Sequence, residues 1–360
     1  MPGQLLAVAR NAFVESIRQP FYTVWLAIVA GIMALNPYLS TNTFENDDLM
    51  AIDMGLSMLL VGGLILAAFT ATGVISREIE NRTALTVISK PLPRPVFIVG
   101  KYLGIALAML LAWWIWMLIS VMSIRQGAFS RTSDPWDLPV LLLGSLAILG
   151  ATGIALAINY LFHKPFGSAW AKWLSILLPI ALLVVLTFNH SFKPQSPLAE
   201  LARYGGLILA MIFAMQATLV LAAVAVAAST RLGQVATLTI CAIVFLVGLS
   251  SDHMIGRYAQ DEYRTEVTLR EVDGEARQIG NEASADVEKK VLVNPGSTPA
   301  KVTYAIVPNI GLLWLGDAIT QGTIGRVTFG YVVYVTVYSV VLIVGVMALA
   351  VALFQSRQAA

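Results

Sequence analysis

Residues 204–230 read YGGLILAMIFAMQATLVLAAVAVAAST, a run of 27 residues without a charged side chain. As an α-helix this run is about 40 Å long, and about 20 apolar residues are enough to cross a bilayer core of roughly 30 Å. Seven further uncharged runs of twenty or more residues are 19–44, 54–76, 102–124, 138–163, 173–192, 232–251 and 327–356. The pattern predicts an all-α polytopic membrane protein with about eight transmembrane helices.

The composition excludes several other classes. Of 360 residues, 58% are hydrophobic and 12% are charged, and the mean hydropathy is +0.76, unlike a water-soluble domain. A transmembrane barrel is excluded because its strands alternate in polarity. The single cysteine, Cys241, excludes a disulfide framework. The net charge of +2 gives no reason to expect nucleic acid as a partner. His163, His190 and His253 lie near span ends, where we expect interfacial rings rather than a metal site.

Basic residues indicate the orientation. If the N-terminus is cytoplasmic, the inner loops and tails hold eleven Lys and Arg residues and the short outer loops hold four. Basic residues of short loops stay on the cytoplasmic side. Eight crossings then place both termini in the cytoplasm. Pro165 and Pro179 with short connections also fit a broken or re-entrant hairpin at 138–192.

The chain divides into four segments. Residues 1–20 form an amphipathic helix and residues 21–251 hold the first seven transmembrane helices. Residues 252–326 form an extracytoplasmic segment, and residues 327–360 hold the last transmembrane helix and a cytoplasmic tail. In the first helix we expect one apolar face, with Arg10, Glu15 and Arg18 turned away from it; that face consists of Leu6, Ala9, Phe13 and Ile17.

The extracytoplasmic segment is rich in charge. Residues 252–301 carry 17 of the 44 charged residues of the chain, so they must lie in water. Alternating polarity predicts short strands at 266–272, 290–293 and 301–304. The apolar stretch 304–322 then predicts a helix on the outer membrane surface. A small β-rich insertion and a partly ordered loop both fit this segment.

The sequence lacks common motifs of nucleotide-binding and catalytic sites. The sequence has no GxxxxGK[ST] phosphate loop, no GxSxG elbow and no HExxH helix. The uncharged spans also offer no buried carboxylate or base for a coupling ion, so a gradient-driven carrier or channel gains no support. We therefore expect a subunit that is not an enzyme and binds no cofactor itself.

The loop after the second span is the most informative segment. Residues 76–104 read SREIENRTALTVISKPLPRPVFIVGKYLG. Its first part continues the preceding helix, with charges spaced for i, i+3 and i, i+4 pairs, and Pro91 stiffens the return. A protein-docking surface and a solvated loop that only fixes topology both remain open on these residues alone.

This loop resembles the signature loop of type 2 ABC-transporter permeases, the ABC-2 family. The matching residues are Ser76, Arg77, Glu78, Thr83, Leu85, Ser89, Pro91, Arg94, Gly100, Lys101 and Gly104. Further similarity lies in the N-terminal helix, in residues 229–234 (STRLGQ), in Pro308-Asn309 and in residues 352–357 (ALFQSR). Within the family, the chain looks most similar to permeases of gliding motility and of nitrous oxide reductase maturation.

The resemblance implies a mechanism. The cytoplasmic loop 76–101 would dock on a separate ABC ATPase that holds ATP and Mg, and residues 1–20 would be a connecting helix. The implied coupling residues are Arg77, Glu78, Glu80, Arg82, Thr83, Leu85, Val87, Ile88, Pro91 and Arg94. A second permease copy or a homologous permease completes the complex in the lipids of the bacterial inner membrane. The chain departs from the six-helix family pattern by an extra pair, 138–163 and 173–192, and by its large outer segment.

Two functions follow as hypotheses. The first is the permease subunit of an ATP-driven exporter of an unidentified substrate. The alternative is the membrane subunit of an ATP-driven mechanical or assembly complex that acts on an extracytoplasmic partner through residues 252–326 and translocates nothing.

Overall fold

The computed structural model describes residues 2–39, 47–80, 93–127, 136–259, 262–267, 288–294 and 297–357. The first helices are α1 (Pro2–Arg18), α2 (Pro20–Leu39), α3 (Asp47–Glu80), α4 (Arg94–Gln126), α5 (Leu138–Phe162) and α6 (Phe166–Leu186). They are followed by α7 (Pro197–Arg203), α8 (Gly205–Ser229) and α9 (Gln234–Ser251). The remaining elements are β1 (Glu262–Val267), β2 (Glu288–Asn294), α10 (Thr298–Ile306), α11 (Gly316–Thr320) and α12 (Phe329–Arg357).

Eight of the described helices are long and apolar enough to cross a membrane; they are α2, α3, α4, α5, α6, α8, α9 and α12. This confirms the predicted class: the chain is a polytopic, predominantly α-helical membrane protein. The buried fraction of the apolar stretches distinguishes central helices from peripheral ones. The most apolar stretch of α4 is 78% buried, whereas those of α5, α9 and α12 are each 22% buried. The helix α4 is therefore central, and the other three present most of their surface to the surroundings.

Hydrogen bonds from tryptophans fix α4 among its neighbours. The indole of Trp116, which is 1% exposed, donates to the carbonyl oxygen of Leu26 in α2 at 3.1 Å. The indole of Trp113 donates to the carbonyl oxygen of Met211 in α8 at 3.1 Å. Each bond satisfies a polar group that burial would otherwise penalise.

The predicted bounds of the fifth span, 173–192, are wrong. The helix α6 runs from Phe166 to Leu186, so Lys172, which was expected to precede the span, lies within it and is exposed. A lysine on the outside of a helix can extend its ammonium toward the membrane surface, so one charge does not end a span.

A buried ion pair ties α5 and α6 to α4. The Nε of Arg125 lies 3.0 Å from Oδ2 of Asp137, and the two side chains are 2% and 0% exposed. Arg125 also donates to the carbonyl oxygen of Val185 at 2.7 Å. The other carboxylate oxygen of Asp137 caps α5 by accepting from the amide of Val140 at 3.2 Å. His190, expected only as an interfacial ring, places its Nδ1 2.9 Å from Oδ2 of Asp137.

Residues 246–311 form a compact unit, and residues 1–245 and 312–360 form another. In the smaller unit β1 and β2 pair antiparallel, with Val267 opposite Glu288. The predicted strand at 290–293 lies within β2, and the predicted strand at 266–272 overlaps β1 at 266–267, while 268–272 lie outside the described residues.

Two expectations for this region are wrong. Residues 301–304 are helical rather than extended, because they belong to α10, where Pro299 sits in the first turn and favours helix initiation. The single helix expected at 304–322 is interrupted. Val307 is extended, with φ −70° and ψ 125°, as the residue before a proline prefers. Only a 3₁₀ turn at Gly311–Leu313 and the short α11 follow.

Candidate coupling site

The predicted coupling loop connects α3 to α4. Arg77, Glu78 and Glu80 lie in the last turns of α3, and Arg94 is the exposed first residue of α4. The remaining predicted coupling residues, Arg82, Thr83, Leu85, Val87, Ile88 and Pro91, lie outside the described residues. Their roles therefore stay predictions, and the site is defined by what the two flanking helices contact.

The helix α1 packs along the start of α4 at two glycines. A methyl group added to Gly104 would lie 2.5 Å from Cβ of Ala12 and 2.7 Å from the backbone nitrogen of Phe13. A methyl group added to Gly100 would lie 2.8 Å from Cβ of Val8. These distances leave no room for a side chain, so the pair of glycines, four residues apart, lets the two helices approach closely.

A buried ion pair lies between the two glycines. The Nζ of Lys101 is 3.1 Å from Oε2 of Glu15, and the side chains are 2% and 32% exposed. The Lys101 ammonium also lies 5.7 Å from the centre of the Phe97 ring. An ammonium this deeply buried is costly unless a counter-charge meets it. Glu15 therefore holds α1 in one register on α4.

This contact corrects the prediction for α1. Glu15 was expected to turn away from the buried face of the helix, but its carboxylate faces α4. The residues of α1 that the protein buries are Ala9, Ala12 and Ser16, whereas Leu6 is 72% exposed. Small residues let two helices pack closely, so they form the face of α1 that packs on the rest of the protein. The larger apolar Leu6 lies on the exposed face of α1.

The connection between α1 and α2 also contacts α3. A methyl group on Gly73 would lie 2.6 Å from the side-chain amide of Gln19. Gly73 is about two turns before the end of α3. The N-terminal segment therefore contacts both helices that flank the predicted coupling loop.

Two further stretches that resemble the family lie at this end of the bundle. Arg231, in the turn after α8, donates from Nε to the carbonyl oxygen of Leu353 near the end of α12 at 3.0 Å. The ring of Phe354 stacks on the ring of Phe97 at 5.8 Å. The start of α4 thus joins the end of α12, and the stretches 229–234 and 352–357 meet.

The sequence alone did not identify Glu15 or Gly104 as partners. The signal was present in part, because Gly100 and Gly104 have the small-xxx-small spacing of closely packed membrane helices. Nothing in the sequence indicates that the partner helix is α1, which lies 86 residues earlier at the Glu15–Lys101 pair.

Residues 17–234, about three fifths of the chain, match the family described as ABC-2 family transporter protein. The matched range contains α2 to α8, and with them the predicted coupling loop and the Gly100–Gly104 segment. The chain belongs to the ABC-2 family and is a membrane permease subunit of an ABC transporter. No curated protein and no solved structure matches the chain. The finer similarity to permeases of gliding motility and of nitrous oxide reductase maturation stays a prediction.

Proposed function

We propose that this permease subunit couples ATP hydrolysis by a separate ABC ATPase to the export of a substrate, and that residues 76–101 dock on the ATPase. The observation that carries the proposal is the fixed contact of α1 with α4. The close approach at Gly104 and the Glu15–Lys101 ion pair join the helix that follows the docking loop to a second helix at the same end of the bundle.

Force from the ATPase passes from the loop to α4. In this proposal Leu85, Val87 and Ile88 supply apolar contact to the ATPase. The charged residues Arg77, Glu78, Glu80 and Arg82, with Thr83, hold the loop on the end of α3, and Pro91 and Arg94 belong to its return toward α4. Since α4 is the most buried of the candidate spans, a displacement of its first turns shifts the helices around it.

The complex contains two permease subunits and two ATPase subunits, which bind ATP and Mg. The N-terminus and C-terminus lie in the cytoplasm and the protein resides in the bacterial inner membrane. In this orientation α1 lies along the inner membrane surface, where exposed Leu6 contacts lipid.

The test is replacement of Leu85 and Ile88 with Asp. We expect loss of ATPase co-purification and of transport, with normal insertion into the membrane, because a carboxylate cannot enter an apolar groove. The matched control is Leu232→Asp, which adds one charge to an exposed position in the turn between α8 and α9. ATPase association that survives the double substitution contradicts the docking role.

A second function, an assembly or mechanical complex, is favoured by one observation. Residues 246–311 form a compact unit of their own, which suits an extracytoplasmic partner. The amide of Ser297 donates to the carbonyl oxygen of Tyr258 at 3.0 Å, so residues 259–296 can be replaced by a short glycine linker. If this replacement abolishes binding of an extracytoplasmic partner while the rate of ATP hydrolysis is unchanged, the second function is supported. Unchanged partner binding and transport exclude it.

A further inference from the structure

A pocket with a mostly apolar lining lies between α2, α4, α5 and α6. Its volume is about 190 Å³, and its lining includes Pro37, Ile119, Met122, Leu141, Ile148 and Leu178. A cavity of about 150 Å³ lined by apolar side chains stays dry and binds benzene. This pocket therefore has room for part of a hydrocarbon chain, but not for a whole lipid.

Two polar side chains in the lining lack hydrogen-bond partners. Within the described part of the chain, the hydroxyl of Ser123 and the amide nitrogen of Gln126 meet no hydrogen-bond partner, and these residues are only 6% and 7% exposed. The amide oxygen of Gln126 accepts from the backbone amide of Asp137 at 3.1 Å. This bond fixes the orientation of the Gln126 amide and leaves its NH₂ group as the unpaired end. An unmade hydrogen bond of a buried donor is costly, so two donors beside one cavity indicate a missing acceptor.

The charge around the pocket defines that acceptor. The nearby Arg125 and Asp137 pair with each other at 3.0 Å, and His190 contacts the same carboxylate oxygen at 2.9 Å, so these groups are already engaged with one another and not with an ionic ligand. A neutral oxygen suits the Ser123 hydroxyl and the Gln126 amide best. The apolar lining requires that this oxygen be attached to a hydrocarbon chain.

The position of the pocket defines the molecule. Gln126 is the last residue of α4 and Val140 is the third residue of α5, so the polar end of the pocket lies at the end of the bundle, at the depth of the membrane interface. Tyr38 and Ser145 at its rim are exposed, and α5 buries little of its apolar surface. The pocket therefore opens toward lipid.

We propose that this pocket binds one membrane glycerolipid, with an ester carbonyl hydrogen-bonded to Ser123 and Gln126 and the adjoining acyl chain in the apolar cavity. In the proposed orientation the lipid belongs to the outer leaflet. The proposal does not depend on the coupling site, because it rests on α4, α5 and their donors alone.

The test uses the full chain in nanodiscs of an ester-linked phosphatidylcholine with a trace of the same lipid carrying a photoreactive diazirine near the carbonyl. We expect cross-links concentrated on Met122, Leu141 and Ile148. Ser123→Ala should lower labelling by about fivefold, the effect of one hydrogen bond. An ether-linked probe, which has no carbonyl for either donor, should label the unaltered protein more weakly than the ester probe labels Ser123→Ala.

Filling the pocket supplies a second test. A methyl group on Gly144 would lie 3.2 Å from Cε of Met122, so Gly144→Leu projects into the cavity and should abolish the pocket cross-links. Gly153→Leu is the matched control on the same helix, because nothing lies within 4 Å of its added carbon. Labelling that persists in Gly144→Leu, or equal labelling by ester and ether probes, overturns the proposal.

Discussion

The ammonium of Lys101 lies 3.1 Å from the carboxylate of Glu15, and the two side chains differ in exposure, at 2% and 32%. The pair joins the N-terminal helix α1 to the start of α4, at the last residue of the predicted coupling loop 76–101. Because water reaches Glu15 but hardly reaches Lys101, we expect substitutions of the two residues to lower the stability by different amounts.

Glu15→Gln should destabilise the protein more than Lys101→Met. The first change removes the carboxylate that lies 3.1 Å from a buried ammonium, and breaking a buried ion pair from one side costs about 3–5 kcal/mol. The second change leaves a carboxylate that water still reaches, and the methionine fills the apolar space of the lysine stem. Unfolding in mixed micelles measures both effects. Equal loss in the two variants would contradict the assigned asymmetry.

Gly104→Val should detach α1 from α4. The added carbon collides with Ala12 and with the backbone at Phe13, and backbone atoms cannot move aside as a flexible side chain can. We expect the rate of transport-coupled ATP hydrolysis to fall at least tenfold. We also expect α1 to become sensitive to limited proteolysis. Gly345→Val in α12 is the control, since nothing lies within 4 Å of its added carbon. An intact α1 contact in Gly104→Val would show that the close approach is not needed.

Asp137→Ala should lower the free energy of unfolding by about 3–5 kcal/mol, because it leaves buried Arg125 without its counter-charge and α5 without its cap. The comparison is Glu200→Ala, which removes a longer pair of 3.7 Å with the exposed Arg203 and should change the free energy by about 0.5 kcal/mol or less. Denaturant titration of both variants provides the measurement. Similar losses would mean that the Arg125–Asp137 pair does not hold α5 and α6 on α4.

The proposed orientation predicts which cysteines a membrane-impermeant reagent reaches in intact cells. Ser297→Cys and Leu232→Cys occupy exposed positions, and we expect labelling of the first from outside and of the second only after permeabilisation. The native Cys241 is fully buried and should stay unlabelled in both cases. The reverse pattern would place the N-terminus outside.

The number of membrane helices was predictable because an uncharged run of twenty residues has few alternatives to a transmembrane helix. Helix bounds failed where one lysine lies within a helix. Lys172 is exposed on α6 and Lys101 is buried in α4, and a sequence does not show whether a charge ends a helix or finds a partner. In the smaller unit, local alternation suggested a strand at 301–304, but Pro299 in the first turn favours the helix α10.

Of the coupling site, the sequence predicted the loop residues but not the helix contacts beside them. The residues of 76–101 carry a recognisable pattern, but the contact of Gly104 with α1 joins positions about ninety residues apart. The lipid pocket left no signal in the sequence, because Ser123 and Gln126 are ordinary polar residues until the fold buries them without partners.

The most direct test of the coupled-permease proposal is gentle purification of the tagged full chain from its native membranes, followed by mass spectrometry and an ATPase assay of what accompanies it. We predict a stoichiometric ABC ATPase whose association is lost on replacing Leu85 and Ile88 with Asp. A chain that purifies alone, is folded and remains active in a flux assay would contradict the proposed coupling to an ATPase.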